Sequence, residues 1–364
     1  MRLGLNLLFL RPDLVGGTES YAARLIPALA ARSEVSSLVA FVGPAARDWP
    51  LPDDSRVERV VCERAGPQIA ARYLFEQTML PRLLRRHRVD LVHSLGYTGP
   101  AFPGVPSVLA VHDLNYRVLG HLMPWHRRVA LSTVVEGAMR RAARVLVLSE
   151  SSKRQIAEEY PWVSRRLRVV YPGAGPVATA TVSPLRESMR PYVVAFASQS
   201  PHKNIDRLLR VWRRLLDEGP RSHDLVLIGR LTPGLVAEPC PPGVRATGWI
   251  AEGAVTALLE GADGLVFPSL YEGFGLPILE AMVLGVPVTC SNASSLPEVG
   301  GSAALYFDPT NEESMERALR RFIGDATLRA RLREAGYENA RRFTWAATAA
   351  ATMDAYREAL DEVA

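Results

Sequence analysis

The chain has 364 residues, 48% hydrophobic and 22% charged, with a net charge of +5 at neutral pH. That length suits two domains better than one, and the apolar content fills two cores, which excludes both a disordered chain and a small disulfide-stapled scaffold. Three cysteines (Cys62, Cys240 and Cys290) are odd in number and lack metal-ligand spacing, so they read as reduced thiols of a cytosolic protein.

The opening run Met1–Leu10 is apolar, but Asn6 interrupts it, and Arg11 and Asp13 stand where a signal peptide carries small residues. It reads as a buried first strand. No apolar run reaches the roughly 18 residues that a membrane span requires. Further strands are predicted at 38–42, 56–61, 89–93, 107–111, 145–148 and 167–170, with helices over 20–31, 69–86, 126–142 and 150–159 between them. From Pro172 a Pro-, Ser-, Thr- and Gly-rich segment without period runs to about Pro191. Strands then resume at 192–197, 225–228, 244–247, 264–267 and 286–289, with a helix over 205–216 and final helices at 312–323, 326–341 and 345–362. Such alternation predicts an α/β protein with parallel sheets of the βαβ kind. The divisions are a first Rossmann-like domain (1–172), a linker (173–190), a second Rossmann-like domain (191–344) and a helix (345–364) crossing back to the first. Two doubly wound domains imply a cleft, with ligands outside the carboxyl ends of the strands.

Arginines crowd the first half: Arg72, Arg82, Arg85, Arg86, Arg88, Arg127, Arg128, Arg140, Arg141 and Arg144. They read either as solvated helix faces or as a basic surface for anionic lipid or a diphosphate-bearing acceptor. No nucleic-acid-binding signature accompanies them, so a nucleic-acid partner is not expected.

The most informative run is 263–282, a buried strand, a turn Glu272-Gly273-Phe274-Gly275, and a helix starting near Leu276 with Pro277 in its first turn. A helix opening just past a strand directs unpaired N–H groups and a positive dipole end toward a ligand. Phe274, Gly275 and Leu276 can therefore donate backbone hydrogen bonds to a phosphate or a sugar hydroxyl. Glu272 and Glu280 bracket the turn with seven residues between them. Separately, Ser198-Gln199-Ser200-Pro201-His202-Lys203-Asn204 joins a strand to a helix, and Val111-His112-Asp113 ends another strand. Val15-Gly16-Gly17-Thr18-Glu19-Ser20 follows the first strand but is not a dinucleotide fingerprint.

The run 263–282 resembles the E-x7-E signature of the retaining glycosyltransferases of family 4, and the likeness extends over nearly the whole chain, including Leu296-Pro297-Glu298-Val299 and Asp308-Pro309. The resemblance implies the GT-B fold of two facing Rossmann-like domains. It implies that Glu280 binds the nucleotide ribose, that Glu272 contacts the donor sugar, and that Lys203, in a turn resembling the family's PRKN, contacts the diphosphate. His202 and Ser198 stand where relatives carry arginine, which thins that phosphate clamp; Arg230 is a possible substitute. The resemblance further implies that Gly16 and Gly17 close over the donor phosphates or the acceptor, that His112 reaches the donor sugar, with Asp113 orienting its ring or meeting the acceptor, and that Trp249 and Ile250 line the base. Glu272, His112 and Lys203 are thus the expected catalytic residues. The expected donor is a nucleotide-diphosphate sugar, first GDP-mannose, because 291–299 looks like bacterial mannosyltransferases of surface polysaccharide synthesis. UDP- and dTDP-sugars, a small natural-product acceptor and a non-catalytic binding partner remain alternatives. No metal or other cofactor is expected. The expected location is the cytoplasm or the inner face of its membrane.

Overall fold

The computed structural model describes residues 1–11, 17–66, 68–118, 120, 124–175, 190–217, 222–235 and 240–362. The chain divides into two compact units, Met1–Gly173 with Thr344–Ala364, and Ala174–Phe343. Most of the stretch read as a linker lies outside the described residues.

Unit 1 runs β1 (Arg2–Leu7), α1 (Gly17–Ala30), β2 (Ser37–Val42), β3 (Val57–Val61), α2 (Ile69–Thr78), α3 (Leu80–Arg86), β4 (Leu91–Ser94), β5 (Ser107–Ala110), α4 (Asn115–Val118), α5 (Trp125–Arg141), β6 (Arg144–Val147), α6 (Glu150–Glu159) and β7 (Leu167–Val169). Its seven strands lie in the order β3-β2-β1-β4-β5-β6-β7, all parallel. Strands β4 and β5 are buried at every residue, as a sheet covered on both faces requires.

Unit 2 runs β8 (Tyr192–Phe196), α7 (Ile205–Asp217), β9 (Asp224–Ile228), β10 (Val244–Gly248), α8 (Glu252–Glu260), β11 (Gly264–Phe267), α9 (Leu276–Val283), β12 (Val288–Ser291), α10 (Leu296–Gly300), β13 (Ala304–Phe307), α11 (Glu312–Gly324) and α12 (Ala326–Ala340). Its strand order is β10-β9-β8-β11-β12-β13, again parallel throughout. Side-chain caps start the long helices: Asn311 accepts from Ser314 N ahead of α11, and Asp325 accepts from Leu328 N ahead of α12.

The last helix, α13 (Trp345–Asp361), belongs to unit 1 and is capped by Thr344. Its polar side grips the sheet edge: Arg144 Nε meets Glu358 Oε2 at 2.6 Å, Arg168 meets the same oxygen at 2.7 Å, and Arg144 also pairs with Glu362. Thr348 Oγ1 donates to Tyr171 O at 2.8 Å. At Gly173 a Cβ would lie 2.3 Å from Trp345 N, so only glycine lets the two chain segments pass this closely.

Three sequence expectations need correction. The helix predicted over 69–86 is two helices broken at Met79, because Pro81 has no N–H to donate and its ring collides with the preceding turn. The strand expected at 286–289 lies at Val288–Ser291; Pro287, unable to donate to a ladder, sits just outside it. Strand β13 and helices α8 and α10 were not anticipated. They are four, nine and five residues long respectively, lengths at which periodicity is a weak signal.

Candidate functional site

In unit 2 the strand order reverses between β8 and β11, and the loops leaving those two strands carry the residues singled out by sequence. Such a switch point is where doubly wound sheets bind ligands. After β8 the chain turns through Pro201–Lys203 to Asn204, which is left-handed at φ 58°. Asn204 Nδ2 donates to Pro268 O at 3.0 Å and to Pro309 O at 2.9 Å, and Leu270 N donates to His202 O at 2.7 Å. These bonds lash the first loop to the second. Lys203 Nζ then meets Glu272 Oε1 at 2.6 Å and lies 5.1 Å from the Phe267 ring centroid. The Lys203 and Glu272 side chains are 20% and 14% exposed, so the pair is half-screened from water but still reachable.

Past Glu272 the turn leads into α9. Gly275 is its N-cap at φ 108° and ψ 44°, and a Cβ there would lie 2.7 Å from Leu296 Cδ2. Both the backbone conformation and the space call for glycine. Phe274 is buried with its ring edge-on to Phe343, centroids 5.8 Å apart. Leu276 opens the helix, so its N–H is among the groups without an intrahelical partner. Glu280 lies more than one turn into α9 and is half-buried.

A brace behind this turn escaped the sequence reading. Ser294 Oγ accepts from Glu272 N at 2.9 Å, while Ser295 Oγ donates to Glu272 O at 3.0 Å and to Phe274 O at 2.7 Å. Ser295 is fully buried. The signal available was a Ser-Ser pair just ahead of Leu296-Pro297-Glu298, a helix-entry pattern whose hydroxyls seek backbone partners.

A pocket of about 460 Å³ opens at the carboxyl ends of β8, β9 and β10, walled by Gln199, Gly229, Arg230, Leu231, Thr232 and Gly248 among others. Trp249 is 55% exposed and Ile250 half-buried, and neither belongs to that wall. Ser198 is half-buried and accepts from Ser200 N at 3.2 Å. Burial lowers the His202 imidazole below its usual range, as does the Lys203 charge, with Glu272 opposing them.

Unit 1 holds the remaining residues. Gly17 starts α1 and is exposed, while Gly16 lies outside the described residues. His112 follows β5 and is 6% exposed. Its ring stands edge-on to Tyr21 at 5.0 Å and 5.3 Å from Tyr97. Asp113 accepts from Tyr97 Oη and from Asn115 N, both at 3.0 Å, so its carboxylate serves the turn into α4. Burial lowers His112 to about 4, opposed by a backbone hydrogen bond with Leu95, and lowers His93 to about 3, with His112 adding to the effect.

These depressed values carry a pH prediction. The unfolded chain holds both imidazoles near 6.5, so below that pH it binds more protons than the folded chain. Their contribution to stability is therefore complete above about 6.5 and is lost as pH falls toward 4 for His112 and toward 3 for His93, on the order of 3–5 kcal/mol for each ring over its full window. The melting temperature should fall by several degrees between pH 7 and pH 5, and less so in His93→Gln. A flat profile over that interval in the wild type would show that these rings are protonated without penalty.

Residues 15–175 match the family model described as glycosyltransferase family 4, and residues 181–339 match the one described as glycosyl transferases group 1. The chain belongs to the family-4 glycosyltransferases. Among curated relatives, O-antigen chain mannosyltransferase B of Escherichia coli is 28% identical over 69% of this chain and 70% of its own length. The MMP alpha-(1->4)-mannosyltransferase of Mycolicibacterium hassiacum is 31% identical over 62% of this chain, and the match spans 56% of that protein. Serotype-specific mannosyltransferase WbdA of Escherichia coli is 27% identical over 70% of this chain, which spans 34% of WbdA. Among solved structures, sucrose-phosphate synthase from Thermosynechococcus elongatus shares 21% identity with a TM-score of 0.77, covering 98% of both chains. WaaG, a glycosyltransferase involved in lipopolysaccharide biosynthesis, shares 17% with a TM-score of 0.72, covering 97% of this chain and 99% of its own. The fold is GT-B, and the expected family and fold are both borne out.

Proposed function

We propose that the protein is a retaining glycosyltransferase that moves a hexose from a nucleotide-diphosphate sugar, GDP-mannose first, to a hydroxyl of a glycan or lipid-linked acceptor without a metal ion. The observation that carries this reading is the Lys203–Glu272 contact beside the open N-terminus of α9, at the switch point of a parallel sheet. A cation and a helix N-terminus are the groups that a departing diphosphate needs, and a carboxylate beside them suits sugar hydroxyls. The mannosyltransferase names of several relatives favour mannose.

In the proposed reaction the bond from the anomeric carbon to the diphosphate oxygen breaks through an oxocarbenium-like transition state. The acceptor oxygen bonds to that carbon from the same face, and its proton goes to the leaving phosphate. Lys203, the amides of Phe274, Gly275 and Leu276, and the helix dipole stabilise the charge that develops on the diphosphate. Glu280 holds the ribose, and the pocket beside Gly248 takes the base. For His112 the fitting role is that of a neutral imidazole accepting a hydrogen bond from a sugar hydroxyl.

The test is binding of GDP, UDP and dTDP by calorimetry without added metal, to wild type and to Glu280→Ala. GDP is expected to bind tightest and to lose about tenfold in the variant, near 1.4 kcal/mol, the scale of a hydrogen bond to a carboxylate. A preference for UDP or dTDP would replace the donor. No nucleotide binding would overturn the function.

We further propose that unit 1 docks on an anionic membrane surface. Trp125 is 71% exposed and Val129 52% on α5, with Val118 38% exposed on α4. Arg140 and Arg141, in the last turn of α5, lie 4.4 and 4.5 Å from the ring centroids of Trp162 and Phe102. Exposed rings beside arginines suit an interface of anionic headgroups and acyl chains. Sedimentation with phosphatidylglycerol vesicles should carry down the wild type, and Trp125→Ser with Val129→Ser should leave most of the protein in the supernatant. Equal partitioning of the two proteins would remove this surface from the proposal.

A further inference from the structure

One face of the unit 1 sheet is lined with rings. Parallel pairing sets Leu5 beside His93 and His93 beside Val108, so these side chains share a face. His112 lies an even number of positions beyond Val108 and returns to that face. Helices α1 and α13 bring Tyr21, Trp345 and Tyr356 against it: Tyr21 lies 5.0 Å from His112 and 5.7 Å from Trp345, and His93 lies 5.5 Å from Tyr356, all between ring centroids. Tyr21, His93 and Tyr356 have no solvent exposure.

Four buried polar atoms of this cluster have no hydrogen-bond partner among the described residues: Tyr21 Oη, His93 Nε2, His112 Nε2 and Trp345 Nε1. Each such atom left bare costs about 1–3 kcal/mol, and the general remedy is internal water with about three polar partners. Proton accounting then gives the cluster a direction. His93 Nδ1 and Tyr356 Oη are 2.7 Å apart. If the imidazole donated, the phenol hydrogen would face no acceptor, so Tyr356 donates and His93 carries its proton on Nε2. The other end is set by the Leu95 backbone, whose bond to His112 favours the protonated ring and is therefore a ring N–H donating to a carbonyl. With that nitrogen protonated in the neutral ring, His112 Nε2 is left with a single lone pair, which internal water occupies in the free protein and the sugar hydroxyl takes over when the donor binds.

We propose that Tyr356, His93, internal water and His112 form one hydrogen-bonded chain from the C-terminal helix to the Leu95 carbonyl, with Tyr21 as a further partner of the water, and that this chain sets the tautomer of His112. Tyr21, His93 and Tyr356 are then positioning residues. The last residues of the chain fold back on the first unit with a chemical consequence as well as a packing one. Any effect on turnover rests on the role proposed above for His112; the tautomer does not.

The experiment is an imidazole nitrogen spectrum of the full chain labelled with ¹⁵N-histidine, His112 being assigned by its loss in His112→Asn. In the wild type His112 is expected to show one protonated and one bare nitrogen, widely separated in shift. In Tyr356→Phe, and independently in Tyr21→Phe, the two shifts should draw together as the second tautomer enters. Unmoved His112 shifts in both variants would overturn the proposal, even if stability drops, since that is the result of packing alone. A second arm uses GDP-mannose turnover. Tyr356→Phe should slow the wild type by about threefold to tenfold, the worth of one hydrogen bond, and add nothing in a His112→Asn background. Additive losses would overturn positioning through His112. Full turnover by His112→Asn would sink the role of His112 while leaving the tautomer result to stand by itself.

Discussion

Replacing Glu272 with alanine should reduce glycosyl transfer about a hundredfold or more, the loss typical of one preorganised contact in the transition state, while leaving the fold in place. The carboxylate sits 2.6 Å from Lys203 Nζ, and its backbone is held on both sides by Ser294 and Ser295, so its position does not depend on the substrate. Removing it leaves Lys203 without this partner. Because Lys203 is 20% exposed and rests over Phe267, the stability cost should stay near 1 kcal/mol, well below that of a fully buried pair. Nucleotide binding should respond in the opposite sense to turnover. In the wild type a diphosphate has to compete with Glu272 for the lysine, so Glu272→Ala should hold GDP as tightly as wild type or more so. Steady-state rates on GDP-mannose and calorimetry on GDP together check this. Undiminished turnover in a folded variant would remove Glu272 from the reaction, and a parallel loss of GDP affinity would move it to the nucleotide.

Gly275→Ala should damage both stability and donor binding. At φ 108° an alanine is strained by about 1–2 kcal/mol or more, and its Cβ would lie 2.7 Å from Leu296 Cδ2. The leucine end can yield; the backbone cannot without turning the first amides of α9. Those amides are the proposed diphosphate donors, so GDP affinity should fall at least about tenfold, roughly the worth of one charge-assisted bond. Gly324→Ala is the control: it sits in open space at the end of α11, and an alanine there should be neutral or slightly stabilising. Thermal melts and GDP calorimetry on both variants decide the matter. Wild-type affinity in Gly275→Ala would show that the turn tolerates the strain and that the amides are not the donors.

The two glutamates, the lysine and the glycine turn were legible because each stood on a recognisable junction of strand and helix. Their mutual geometry was not. Lys203 and Glu272 are 69 positions apart, and nothing local to either announces that they touch. The contact follows from sheet order: β8 and β11 are neighbours, so the loops that leave them are too. For Ser294 and Ser295 the local pattern offered a helix entry but not its partners, which lie more than twenty residues back. His112 shows the reverse case. The sequence places it at a strand's end, whereas the structure buries its ring and leaves Asp113 bonded to Tyr97 and Asn115.

The sequence by itself determined the parallel α/β class, the seven strands of the first unit and the location of the glycine turn. These depend on periodicity, on β-branched runs and on the backbone freedom of particular residues, all of which are local. The break at Met79 was also local, written in Pro81, although the helical period around it concealed the break. Only the tertiary structure decided which residues face one another: the Lys203–Glu272 pair, the serine brace, and the ring cluster joining His112 to Tyr356 through His93. Those contacts are set by strand order and by the return of α13 to the first unit, and burial then fixes which polar atoms must find partners.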